Sequence, residues 1–95
     1  MGRAAILALA MLAAPAAAQE HGALLAGACQ GCHGAAGGGS QGIPAIAGTR
    51  RRAEFAAILR DFRENKREAT VMGRIARGFS EKDIAALAAH YAARD

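Results

Sequence analysis

The sequence predicts an all-α domain of about four short helices, and three observations carry that prediction. Phe55, Ile58, Leu59 and Phe62 recur at i, i+3, i+4 and i+7 within residues 53–65, with Arg60, Asp61, Arg63 and Glu64 on the other face. Ser80-Glu81-Lys82-Asp83 matches the S-x-x-[DE] pattern of a helix start and is followed by Ile84, Leu87, Ala88 and Tyr91 at helical spacing. No run of alternating or β-branched residues suggests a strand.

Residues 1–18 are expected to be a cleaved secretory signal peptide. Arg3 supplies a basic start, Ala4 to Ala14 an uncharged apolar run too short to span a bilayer, and Pro15-Ala16-Ala17-Ala18 a small-residue cleavage stretch before Gln19. This divides the chain into a signal and a single domain over 19–95, and it implies a periplasmic address with no stable membrane insertion after cleavage. Residues 20–29 then read as a first helix with Leu24, Leu25 and Ala28 facing inward. Gly22 and Ala26 are small enough to admit a close helix crossing.

Residues 34–48 hold six glycines and one proline, a composition that forbids regular structure over most of their length and predicts an irregular loop. Loops of that length in small domains tend to be functional. Arg50-Arg51-Arg52 stand at the start of the 53–65 helix, where the dipole disfavours cations; they read as a solvated charge run, with compensation by a partner or by an acidic group of a bound cofactor as the alternative. Residues 72–77 fit one short turn stopped at Gly78.

Removal of residues 1–18 leaves eleven basic and eight acidic side chains, a mild net charge of +3. The basic residues are scattered and only four aromatics occur, which excludes nucleic-acid binding as a leading reading. Seventy-seven residues with few large side chains lie near the size at which a hydrophobic core alone gives marginal stability. Something else must complete the core.

Cys29-Gln30-Gly31-Cys32-His33 supplies it: this is the C-x-x-C-H pattern of c-type haem attachment. Two thiols three positions apart reach the two vinyl groups on one porphyrin edge, and the histidine after the second thiol is brought beneath the iron. A thioredoxin-like pair would follow a strand, and a zinc site would find only His21 and His90 beyond the motif, with no second Cys pair. A disulfide across so short a loop would constrain little of the unfolded chain.

With Met1 and Met11 in the signal, Met72 is the one thioether left for the opposite face of the iron. His21, His90 or an open site are the other possibilities. His33 needs an acceptor for its second ring nitrogen. Pro44, eleven residues on, has a fixed φ that would hold a backbone carbonyl against the ring, although an ordinary loop proline would look the same. The apoprotein is expected to be mostly unfolded.

The chain resembles class I c-type cytochromes of the small bacterial monohaem kind, in which about four short helices wrap around one covalent haem. Cys-Gln-Gly-Cys-His-Gly at 29–34, Ile-Pro-Ala-Ile-Ala-Gly at 43–48, Leu-Arg-Asp-Phe-Arg at 59–63 and Ala-Thr-Val-Met-Gly-Arg-Ile-Ala-Arg-Gly-Phe-Ser at 69–80 are similar to the cytochrome subunits of flavocytochrome c sulfide dehydrogenases. The resemblance implies Met72 as distal ligand, Pro44 on the proximal side, and a sulfide-oxidising flavoprotein that passes electrons singly to the haem. Some members of that group carry two cytochrome domains, whereas this chain has cysteines for one haem.

These readings give electron transfer in the periplasm, with no catalytic residue of the chain's own. The alternatives are a free-standing carrier between respiratory complexes, and a haem sensor or peroxidase that would need a vacant sixth position.

Overall fold

The computed structural model describes residues 2–93, with side chains at Ala17 and from Gln19 to Ala93. Met1, Arg94 and Asp95 lie outside the described residues, as do the side chains of 2–16 and Ala18, on which the signal-peptide reading falls. Four helices occur in order: α1 (Gly2–His33), α2 (Arg52–Arg63), α3 (Met72–Ala76) and α4 (Glu81–Tyr91). No strand forms among the described residues, where the lone β-bridge joins Ser40 and Ile43. No helix there is long and apolar enough to cross a membrane.

Helix α1 packs on α4, and α2 packs on both α4 and α3. Its last turns differ from the sequence expectation in two respects. The helix runs through the whole C-x-x-C-H segment instead of ending at Cys29, and its inward stripe is Gly22, Leu25, Ala26 and Cys29 rather than Leu24, Leu25 and Ala28. Leu24 is 79% exposed and Ala28 is exposed, while Ala26 is fully buried.

Gly22 explains the rotation. A Cβ at that position would lie 2.6 Å from the backbone oxygen of Ala86 and 3.2 Å from the Cβ of His90. The glycine face is where α4 can approach most closely, so the helix turns that face inward and leaves Leu24 in solvent. The close crossing expected from Gly22 and Ala26 is therefore present.

Helix α2 ends because Asn65 takes a left-handed conformation, φ 59°. Asn65 N–H donates to the Phe62 carbonyl and Lys66 N–H to the Asp61 carbonyl, which satisfies the last carbonyls of the helix. Helix α4 begins at a reciprocal cap: Ser80 Oγ accepts from Asp83 N–H at 3.1 Å, and Asp83 Oδ2 accepts from Ser80 N–H at 2.9 Å. His21 Nε2 lies 2.9 Å from the other oxygen of the same carboxylate and ties α1 to that cap. The Ser80 backbone N–H, and then His21, hold the Asp83 carboxyl below its ordinary range.

The core formed by these contacts is small. Ala26, Phe55, Ala56, Leu59, Ile84, Leu87, Ala88 and Tyr91 are buried together, and three of the eight are alanines. Ile46, Ala47, Met72 and Phe79 pack against the cluster but stay only partly buried.

The α1–α4 crossing yields a testable expectation. Gly22→Leu forces a side chain into the Ala86 backbone and should cost about 1–3 kcal/mol. Gly27→Ala, where a Cβ meets nothing within 4 Å, should be neutral or stabilise by about 0.5–1 kcal/mol. Thermal melts of the two holoproteins check this. Equal melting temperatures would mean that the crossing is not where the domain is tight.

Candidate haem site

The helical spacing of α1 places Cys29, Cys32 and His33 at i, i+3 and i+4, along one side of the last turn. Cys29 is half-buried and Cys32 is exposed, while His33 is only 8% exposed. The chain leaves the helix at Gly34, whose φ of +94° ends it, and doubles back. Gly39 N–H donates to the His33 carbonyl at 2.7 Å, and Pro44 then arrives beside the imidazole. The His33 Nδ1 to Pro44 oxygen distance is 2.7 Å. Because that carbonyl can only accept, Nδ1 carries the hydrogen and Nε2 is left with its lone pair, the tautomer a metal ligand requires.

Gly37 fixes the path of this loop. Its φ is +76°, and a Cβ there would lie 2.7 Å from the Tyr91 ring, so the backbone rests directly against the ring. The Gly37 carbonyl accepts from both Ile46 and Ala47 N–H, which folds the Pro44 segment inward. Gly48 N–H donates to the Tyr91 carbonyl and Ala93 N–H to the Arg50 carbonyl, anchoring the far end of the loop to the end of α4.

Between α1, α2, α3, α4 and this loop lies a cavity with about 520 Å³ of space, part of it open to solvent. Cys29, Ile46, Phe55, Phe62, Met72 and Phe79 are among the residues that line it, and Arg50 is the charged side chain at its wall. Met72, the first residue of α3, therefore shares the cavity with Cys29 although 43 positions separate them.

The residues present fit a covalently held haem. Two thiols and a preset imidazole stand at one helix end, Cys29 and the Met72 thioether line one apolar cavity of which Cys32 and His33 are not lining residues, and Ile46, Ile58, Phe62, Met72 and Phe79 around it stay only partly buried. Tyr91 adds a further sign that the site is incomplete as protein alone. Its hydroxyl is buried without a hydrogen bond of acceptable geometry, in loose contact with the Cys29 sulfur. Burial pushes the Cys29 thiol above its ordinary range, with the tyrosine hydroxyl opposing the shift, and burial raises the Tyr91 hydroxyl as well.

The other histidines are engaged elsewhere. His21 is paired with Asp83, and His90 is exposed with its ring edge-on to Tyr91 at 4.7 Å between centroids. Neither lines the cavity.

Of the sequence candidates, the structure gathers Cys29 and Met72 at the cavity and joins His33 to Pro44. Sequence reasoning missed Ile46, Leu87 and Arg50 as lining residues. Ile46 lies in a loop without periodicity, and Arg50 is one of three consecutive arginines for which a solvated run is the leading reading and a match to a partner or a haem propionate the alternative. The Arg50 side chain is half-exposed and 4.0 Å from Glu54, yet it also reaches the cavity wall.

Comparison with known proteins gives the same picture. The cytochrome subunit of sulfide dehydrogenase from Chlorobaculum tepidum is 36% identical over 73 residues, an alignment covering 77% of this chain and 66% of that protein, just under two thirds of its length. The family model for cytochrome c matches residues 19–91, every helix but the first part of α1 included. The chain belongs to the cytochrome c family, whose work is electron transfer by haem c.

Proposed function

We propose that residues 19–95 form an exported monohaem carrier with thioether links to Cys29 and Cys32, iron ligation by His33 and Met72, and a sulfide-oxidising flavoprotein as electron donor. The observation that carries the ligation is the shared cavity: Cys29 and Met72 face one apolar space, and His33 is oriented by the Pro44 carbonyl. When bound, the haem supplies a one-electron ferric/ferrous couple, and a thioether ligand raises its potential.

The chain's own residues do three things. His33, held by Pro44, keeps its ring from rotating and keeps the proton on Nδ1. Phe55, Ile58, Leu59, Phe62 and Phe79 exclude water from the cavity, which penalises extra charge there. Met72, at the start of α3, would offer its thioether to the iron, which would leave no vacancy for oxygen or peroxide. A sensor or peroxidase role would need that vacancy, and neither His21 nor His90 offers a second way to fill it.

Export is supported by the small-residue stretch ending at Ala18 and by the family match that begins at residue 19. The flavoprotein donor is supported by the likeness to a sulfide dehydrogenase subunit. A free-standing carrier would have the same ligation without such a partner.

The optical spectrum of the purified protein tests the ligation. A sharp reduced α-band and a weak ferric band from sulfur ligation are expected, and the ferrous protein should not bind carbon monoxide. Met72→Ala should abolish the sulfur band, give a high-spin ferric spectrum and open the ferrous iron to carbon monoxide. An unchanged spectrum in that variant would show that another residue is the distal ligand.

The donor is tested separately, by adding sulfide to the ferric protein with and without the flavoprotein from the same source. Reduction that depends on the flavoprotein is expected; equally fast reduction without it would remove the reason for assigning that partner.

A further inference from the structure

Among the described residues, the Tyr91 hydroxyl is the one buried side-chain oxygen or nitrogen without a hydrogen-bond partner. Phenylalanine would fill the same ring space without burying a polar group, so the oxygen needs a reason of its own. The ring cannot swing it toward water. Tyr91 is 4% exposed, stacked on Phe55 with centroids 5.9 Å apart, bounded on another side by the His90 ring and pressed by the Gly37 backbone. The carbonyl of Gly37, the residue against the ring, already accepts from Ile46 and Ala47 N–H. The polar group the hydroxyl does meet is the Cys29 sulfur, which packs against the same core cluster.

As a free thiol, Cys29 can donate its S–H to the tyrosine oxygen or accept from the tyrosine O–H. Addition across a porphyrin vinyl group ends that choice: the sulfur bonds to one vinyl carbon, the thiol hydrogen passes to the other, and the sulfur keeps only lone pairs. Of the two groups, Tyr91 alone can then donate.

We propose that the Tyr91 hydroxyl donates to the thioether sulfur of Cys29 and is a positioning residue for the haem, an inference that rests on the thioether reading above. The bond fixes the rotation of the Cys29 side chain against a residue locked in α4. It also draws electron density from the sulfur, and through it from the porphyrin edge, which favours ferrous over ferric iron; hydrogen bonding around the ligand shell is one of the ways a protein sets a haem potential. Cys32 is exposed and lies outside the core cluster that holds Tyr91, so the two thioether links are unequal.

The test uses ferrous holoprotein isotope-labelled at the cysteine Cβ atoms, unmodified and as Tyr91→Phe. In the unmodified protein a slowly exchanging Tyr91 hydroxyl proton is expected, with a through-space contact to the Cys29 Cβ hydrogens. In Tyr91→Phe the Cys29 Cβ resonance should move and that of Cys32 stay, the Met72 sulfur band should persist, and the ferrous-to-ferric ratio at a fixed applied potential should fall about twofold. A ring that only fills space is retained by phenylalanine, so an unchanged Cys29 resonance and an unchanged ratio would overturn the proposal. So would a hydroxyl proton in rapid exchange with bulk water, or one whose contact is to a backbone carbonyl. The measurement on the unmodified protein decides alone if Tyr91→Phe fails to take up haem. Haem that resists extraction by acidified solvent while Cys29 gives no response contradicts this inference only, whereas extractable haem contradicts the thioether reading itself.

Discussion

The hydrogen bond from His33 Nδ1 to the Pro44 carbonyl is the contact on which the site's architecture depends. It joins the last residue of α1 to a loop that has no regular structure of its own. A loop so rich in glycine carries a large entropic cost of ordering, and fixed anchors must offset it. Three anchors are visible: the imidazole at Pro44, the Tyr91 ring beneath Gly37, and the Tyr91 carbonyl at Gly48. Two of them converge on the same α4 residue, so the geometry of the proximal side is coupled to the packing of α4 on α1. The closeness of Gly22 to Ala86 thus bears on histidine orientation more than ten residues further along the helix.

A second constraint is the poverty of the core. The fully buried side chains are Ala26, Ala76, Ile84 and Ala88, with Leu87 close behind, while the larger Ile58, Phe62, Met72 and Phe79 are left half-buried around the cavity. A chain of this size that leaves its bulkiest apolar groups around a void cannot be far from the margin of stability as protein alone. Filling that void with a flat apolar ligand would complete the burial of all four at once. In this sense the redox group and the core are one element, and the same residues that hold the fold together also keep water from the iron.

Much of this arrangement was legible in the sequence where the chemistry demands a short, fixed spacing. The C-x-x-C-H segment, the Phe55 to Phe62 stripe and the Ser80 to Asp83 cap each lie within one or two helical turns, and each is found where expected. The rotation of α1 was not legible. Alanine and glycine occupy both faces of that segment, so Leu24 and Leu25 carried most of the apparent pattern, and the closeness of approach at Gly22 decided against Leu24. The reach of Arg50 to the cavity wall was equally hidden, because three consecutive arginines look alike until the loop before them is folded. The boundaries of α1 could not be read either, since nothing in an alanine-rich run marks a start.

Iron ligation by both His33 and Met72, as proposed, would leave no open position on the metal. The most direct measurement is the proton NMR spectrum of the ferrous protein, in which the porphyrin ring current shifts the methyl of an axial methionine far upfield of all other resonances. A single three-proton resonance in that region, assigned to Met72, is the expected result. Its absence from a correctly folded, haem-loaded protein would contradict the claim.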